Sequence, residues 1–368
     1  MKPPQRRDLT QPEVPLGNAP AQPPRGLWRD SLQRLRTNRP AFFSLAFLAA
    51  LALIAGLAPL WPLRSPVRTN LDYARRAPAF DIGDHDFLSL APDEEANTPT
   101  IERAYWDLGA LDIALVRTRL AFFGTWQSGH WLGTDHLGRD LLARIVWGSR
   151  TSILVALAAT ACSLVIGVSY GALAGLAGGR VDALMMRFVD VLYSIPFIFL
   201  VIFLITLIGD YRAVLEERYG LDREKVFFLV IGGVYWLTMA RVVRGQVLSL
   251  KNAEFIEAAR ALGASTLRIL FAHVVPNVLS IVVVYLTLTI PAIMLFEAFL
   301  SYLGLGIEPP KVSWGLLASD SIGAITPLAS FWWLVLFPSL AMGSTLLALN
   351  VLGDGLRDAL DPKMRRGH

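Results

Sequence analysis

The chain has 368 residues, 54% of them hydrophobic and only 17% charged, with a mean hydropathy of +0.47 and a formal net charge of +4. Soluble domains carry roughly a quarter charged residues, so these numbers argue against a soluble globule. The modest positive charge speaks to membrane topology and not to nucleic-acid binding. One cysteine, Cys162, precludes an internal disulfide, and its expected role is packing.

Taken in order, residues 1–24 are Pro-rich and polar and are expected to stay disordered. Leu27, Trp28, Leu32 and Leu35 then recur at helical spacing beside Arg29, Arg34 and Arg36. That pattern suits a helix lying on an anionic inner leaflet, in contact with membrane lipid. Six uncharged apolar runs approach the roughly 20 residues a spanning helix needs: Pro40–Leu63, Thr151–Gly179, Val191–Gly209, Val226–Ala240, Val274–Phe296 and Ser321–Gly353. The fold class is therefore an all-α polytopic membrane protein with six transmembrane helices. Its expected division is a tail and interfacial helix (1–40), a first span (41–63) and an outer loop with short amphipathic helices (64–150). A five-helix core (151–353) and a C-terminal tail (354–368) follow.

Arg25, Arg29, Arg34, Arg36 and Arg39 precede the first span. Arg241, Arg244, Lys251, Arg260 and Arg268 lie between the fourth and fifth, and Arg357, Lys363, Arg365 and Arg366 close the chain. With six spans these segments share one side, which the positive-inside rule makes the cytoplasm. Both termini are then expected to be cytoplasmic.

Within the outer loop the acidic run Asp81, Asp84, Asp86, Asp93, Glu94 and Glu95 lacks the spacing of a calcium loop, so a solvated segment is expected. Leu111 to Phe123 reads as a short helix over the outer mouth. In Gly133-Thr134-Asp135-His136-Leu137-Gly138-Arg139-Asp140, Asp135 suits an Asx turn and Asp140 a helix N-cap. His130, Asp135 and His136 lack the further ligands of a metal site. Gly167, Gly171 and Gly175 recur every four residues, baring one helix face for close helix–helix packing. Arg180, Asp182 and Arg187 read as the next inner turn, with Asp190 capping the third span. Glu297 lies within the fifth run. An intramembrane carboxylate raises a proton relay, a gate or a substrate contact, but a structural hydrogen bond near the outer end is the favoured reading. Gly304 to Ser330 reads as a turn-rich surface segment.

The stretch 251–277 is a polar, helix-forming insert between two apolar runs. Glu254, Glu257, Ala258, Ala259, Arg260 and Leu262 favour helix, Gly263 suits a left-handed C-cap, Ser265 or Thr266 an N-cap, and Pro276 the close of the unit. Glu257-Ala258-Ala259, Gly263 and Val275-Pro276 resemble the EAA loop of ABC-importer permeases. The octet at 133–140 and the run Gly353-Asp354-Gly355-Leu356-Arg357-Asp358-Ala359-Leu360-Asp361-Pro362 resemble signatures of the oligopeptide and dipeptide permeases. Here His273-Val274-Val275-Pro276 stands where the family has Ile-x-Leu-Pro. Much of 61–131 and 210–225 falls outside the resemblance.

The resemblance implies a type I ABC-importer permease architecture in a bacterial inner membrane. It also implies a C-type subunit paired with a B-type permease, two cytoplasmic ATPases and an extracytoplasmic binding protein that delivers peptide. Glu254, Glu257, Ala258, Ala259, Gly263 and Pro276 would then form the ATPase-coupling loop. The chain has no phosphate-binding Gly-x-x-x-x-Gly-Lys-Ser/Thr and no catalytic elbow or zinc pair. No cofactor, metal or catalytic residue is expected, and ATP hydrolysis belongs on separate subunits. A proton-coupled secondary transporter, or a permease for nickel or modified peptides, is the alternative.

Overall fold

The computed structural model describes residues 35–85, 101, 105–106, 108–221, 223–327 and 329–360. The Pro-rich tail, the basic segment at Leu27, Trp28 and Leu32, the acidic residues beyond His85 and Asp361-Pro362 lie outside the described residues. α1 (Arg39–Gly56) starts where Asn38 Oδ1 accepts from the Ala41 N–H at 3.3 Å, with Pro40 in the first turn where no N–H is needed. Outside the membrane, α2 (Ala110–Phe123) lays Val116 against Ala58, Tyr105 and Trp147.

α3 (Leu141–Ala177) begins well before the expected Thr151. Asp140 caps it, accepting from the Ala143 N–H at 2.8 Å. Its added turns carry Arg144 and Ser149, which neighbouring protein buries, so the apolar run understates the helix. The boundary expected at 150 therefore falls inside α3.

The expected third span, Val191–Gly209, is instead a pair of helices, α4 (Gly179–Ser194) and α5 (Phe197–Gly209), meeting at 87°. Pro196 has no N–H and Ile195 before it takes extended backbone (φ −83, ψ 126), which breaks the helix at this point. Arg180, Asp182 and Arg187, expected in a turn, lie on α4. Asp190 is also inside α4, not at a helix start, and its carboxylate accepts from Arg241 and caps nothing.

A short outer helix, α6 (Arg212–Tyr219), ends on left-handed Gly220. α7 (Arg223–Leu250) carries the fourth span and continues past Arg241 and Arg244. The next loop holds α8 (Glu254–Ala261) and α9 (Thr266–Ile269), and α10 (Val275–Tyr302) is the fifth span. α11 (Trp314–Asp320) corrects the surface reading of Gly304 to Ser330. Ser313 caps it, and its Val312, Trp314 and Leu317 neighbourhood is buried against the bundle. α12 (Trp332–Leu360) starts later than the expected Ser321 and runs past Gly353. Part of the expected tail 354–368 is thus helix, with Gly355 pressed against Ala41 of α1.

Among the described residues five helices are long and apolar enough to cross a membrane, and the bent pair brings the number to six when its two halves are taken as one span. The spine is the parallel pair α3 and α7. A Cβ on Gly171 would lie 2.3 Å from the Ala240 carbonyl oxygen, one on Gly167 2.6 Å from Met239 Cβ, and one on Gly175 2.8 Å from Val247 Cβ. In lipid no water is expelled when helices meet, so close backbone approach supplies the attraction.

Candidate functional site

The loop between α7 and α10, expected on the inner side, is built as a platform. α8 opens with Glu254 and Glu257 in its first turn, where carboxylates suit the helix dipole. It closes in a Schellman motif: the Ala264 N–H donates to the Ala259 carbonyl and the Gly263 N–H to the Arg260 carbonyl, both at 3.0 Å. Gly263 has φ +80, a conformation that costs a side chain about 1–2 kcal/mol. Ser265 then caps α9 through the Arg268 N–H at 3.4 Å.

Pro276 does not close the unit. α9 passes through one wide π-turn, Leu270–Val274, directly into α10, with Pro276 in the first turn of α10. The wider turn accommodates a ring that can neither donate an N–H nor clear the preceding turn.

The platform has two faces. Ile256, Ala259, Ile269, Leu270 and Val274 are buried on Ala172, Met239, Val243, Val247 and Val278, at the inner ends of α3, α7 and α10. Full burial of a side chain such as Ile256 contributes roughly 1.5–3 kcal/mol, so the loop is anchored to the spans. The other face presents Glu254, Glu257, Ala258 and Arg260 with Phe255, Leu267 and Phe271, and with Leu262 at 89% exposure. Exposed apolar side chains gathered beside charges mark interaction surfaces. Sequence reasoning missed Phe255, Leu262, Leu267 and Phe271. Their signal was surplus: Ile256 and Ala259 already supply the buried stripe of α8, leaving the other large apolar residues nowhere to go but outward.

On the opposite side, the octet 133–140 locks the outer loop to the bundle. Asp135 Oδ1 accepts from the N–H groups of Leu137 (2.8 Å) and Arg139 (2.9 Å), forming the Asx turn. Its Oδ2 accepts from Arg139 Nε at 2.7 Å and from Arg144 Nη1. Arg144 Nη2 reaches Asp320 of α11 at 3.0 Å. His130 Nδ1 lies 3.0 Å from Asp140 Oδ2. Among the described residues no three His, Cys, Asp or Glu side chains are grouped to share a metal ion.

Burial alone would push the Asp135 carboxyl up. Arg144, then Arg139 and its hydrogen bonds, outweigh burial and hold it below the usual carboxylate value. The sign follows: this stabilisation is complete above the unfolded carboxylate value and is lost only as pH falls through the lower folded value. Asp135→Asn is expected to cost about 3 kcal/mol by leaving buried Arg144 short of a partner. Thermal unfolding in detergent checks this, and for the native chain the contribution should not vary between pH 7 and pH 5.

Glu297 is buried near the outer end of α10. Its Oε1 accepts from Ser301 Oγ at 2.9 Å and Ser313 Oγ at 2.7 Å, and the carboxylate also takes the Gly315 N–H. The Trp314 N–H donates to Ser152 Oγ at 3.0 Å and its Nε1 to the Ile145 carbonyl at 2.9 Å. The carboxylate thus holds the start of α11 to α10, and Trp314 holds it to α3. Glu297→Leu strands three donors, so a loss of about 2–4 kcal/mol is expected, with Glu297→Gln milder. Unfolding temperatures of the two variants test the order.

An all-α bundle of six apolar spans with a braced polar platform between the fourth and fifth is a polytopic transport permease. The chain belongs to the family described as binding-protein-dependent transport system inner membrane component, which matches residues 167–366, and residues 26–79 match the N-terminal TM domain of oligopeptide transport permease C. The oligopeptide transport system permease protein OppC of Escherichia coli K12 is 41% identical over 343 residues, covering 93% of each chain. OppC of Haemophilus influenzae is 38% identical over 346 residues, covering 93% of this chain and 90% of that one. The dipeptide transport system permease protein DppC of Bacillus subtilis is 46% identical over 240 residues, 65% of this chain and 71% of that one. The family is one of transport permeases of the inner membrane, not of enzymes.

Proposed function

We propose that this chain is the C-type membrane subunit of an ATP-driven importer, passing oligopeptides or dipeptides received from an extracytoplasmic binding protein. The observation that carries the reading is the two-faced platform of α8 and α9, anchored beneath by Ile256 and Leu270 and open above at Glu257, Leu262 and Phe271. A separate ATPase docked there would move the inner ends of α7 and α10 together. Such coupling is a free-energy difference between two states of the permease. A B-type permease completes the path and a pair of ATPases supplies the work. The basic residues on the platform and beside α1 support a cytoplasmic position for both, together with the termini.

Two measurements test this. Uptake of a labelled oligopeptide by cells should stop on ATP depletion and persist when the proton gradient is collapsed; the reverse would point to a secondary transporter. A cysteine placed at Glu257 should react with an impermeant maleimide only in inside-out vesicles.

A further inference from the structure

α4 is joined to its neighbours by two joints. At one end Gly178 and Gly179 both hold positive φ, +63 and +56, a reversal that side chains resist. At the other, Ile195 and Pro196 turn the chain through 87° into α5. Between them only part of the apolar surface of α4 is packed, with Met186 and Leu192 half-buried against the core. Val189 is buried, but Val181, Leu184, Phe188 and Val191 are exposed.

What fastens it to α7 is mainly charge, with one hydroxyl contact between Tyr193 and Thr238. Arg244 grips Asp182 with both arms, Nε to Oδ1 at 2.7 Å and Nη2 to Oδ2 at 2.6 Å. Planar two-point pairing of this kind fixes orientation as well as distance. One turn earlier on α7, Arg241 Nη2 donates to Asp190 Oδ1 at 2.7 Å, its guanidinium 3.8 Å from the Tyr193 ring centroid. The Asp182 side chain is mostly buried, whereas Asp190 is largely exposed. Exposed pairs contribute little, so Asp182–Arg244 is the principal tie. On the same inner stretch of α7, Val243 and Val247 lie under Ile256 of α8. One short piece of helix thus carries the platform on one face and α4 on another.

We infer that Asp182 and Arg244, assisted by Asp190, Arg241 and Tyr193, are positioning residues of transport: they convey displacement of the platform to α4 and so to the bent span. The inference rests on the reading of α8 and α9 as the motor-docking element.

The test uses the whole transporter, co-purified with its companion subunits, in proteoliposomes, with ATP hydrolysis and labelled-peptide uptake measured together. Asp182→Asn should leave ATP hydrolysis within about twofold of native while peptide moved per ATP falls about tenfold, the scale of a typical coupling free energy. The charge exchange Asp182→Arg with Arg244→Asp should restore at least half of the loss. An unchanged peptide-to-ATP ratio in Asp182→Asn overturns the inference, as does a charge exchange no better than the single variant. Should Asp182→Asn fail to reach the membrane, Asp190→Asn combined with Arg241→Gln carries the same test, with a fall of about twofold expected at these exposed positions. Failure of the docking reading is told apart by Gly263→Val, which acts on the platform and leaves the ties of α4 in place.

Discussion

Gly263→Val is expected to insert normally and to lower peptide uptake about tenfold, by loosening the platform and not the bundle. The cause is backbone geometry alone. A Cβ at Gly263 would meet nothing within 4 Å, so no neighbour is pushed aside. The penalty comes from φ +80, which a β-branched residue resists more than the roughly 1–2 kcal/mol typical of an ordinary side chain. Relieving it means unwinding the Schellman turn, which frees the Ala259 and Arg260 carbonyls and swings Leu262 out of register with Leu267 and Phe271. Gly263→Asn, tolerant of left-handed backbone, should keep most activity. The pair is read by uptake normalised to membrane protein and by retention of the ATPases on affinity purification. Equal uptake by Val and Asn variants would end the docking assignment.

Gly171→Leu is expected to be the most damaging single change in the spans, lowering stability by at least about 3 kcal/mol and the yield of folded protein with it. Its Cβ would fall 2.3 Å from the Ala240 carbonyl oxygen and 3.0 Å from Ala240 Cα. Both are backbone atoms, so no rotamer change opens the space and α3 must separate from α7. Even Gly171→Ala should cost about 1–3 kcal/mol. Gly233, on α7 itself, provides the control: a Cβ there has nothing within 4 Å, so Gly233→Leu should be close to neutral. Monodispersity in detergent and thermal unfolding separate the two. A Gly171→Leu protein as stable as Gly233→Leu would show that the seam between α3 and α7 is not tight.

The sequence by itself determined the number of spans, the polar platform between the fourth and fifth, and several helix ends. Asp140 caps α3, Gly263 closes α8 and Asp135 makes its Asx turn because each acts on backbone groups within a few residues. The spans are equally local in origin, since a backbone in lipid must satisfy its own hydrogen bonds and a run of apolar residues can do so only as helix. The tertiary structure decided the rest. Arg144 belongs to α3 because Asp135 and Asp320 bury and pair its guanidinium, which no hydropathy window registers. Asp190 pairs with Arg241, 51 positions away, and Asp182 with Arg244, 62 positions away. Glu297 reaches Ser313 on a segment that reads as surface loop until Trp314 is seen buried against α3. Capping and helix formation are settled between neighbours along the chain. Which carboxylate meets which arginine depends on how whole helix faces are turned toward one another, and only packing sets that angle.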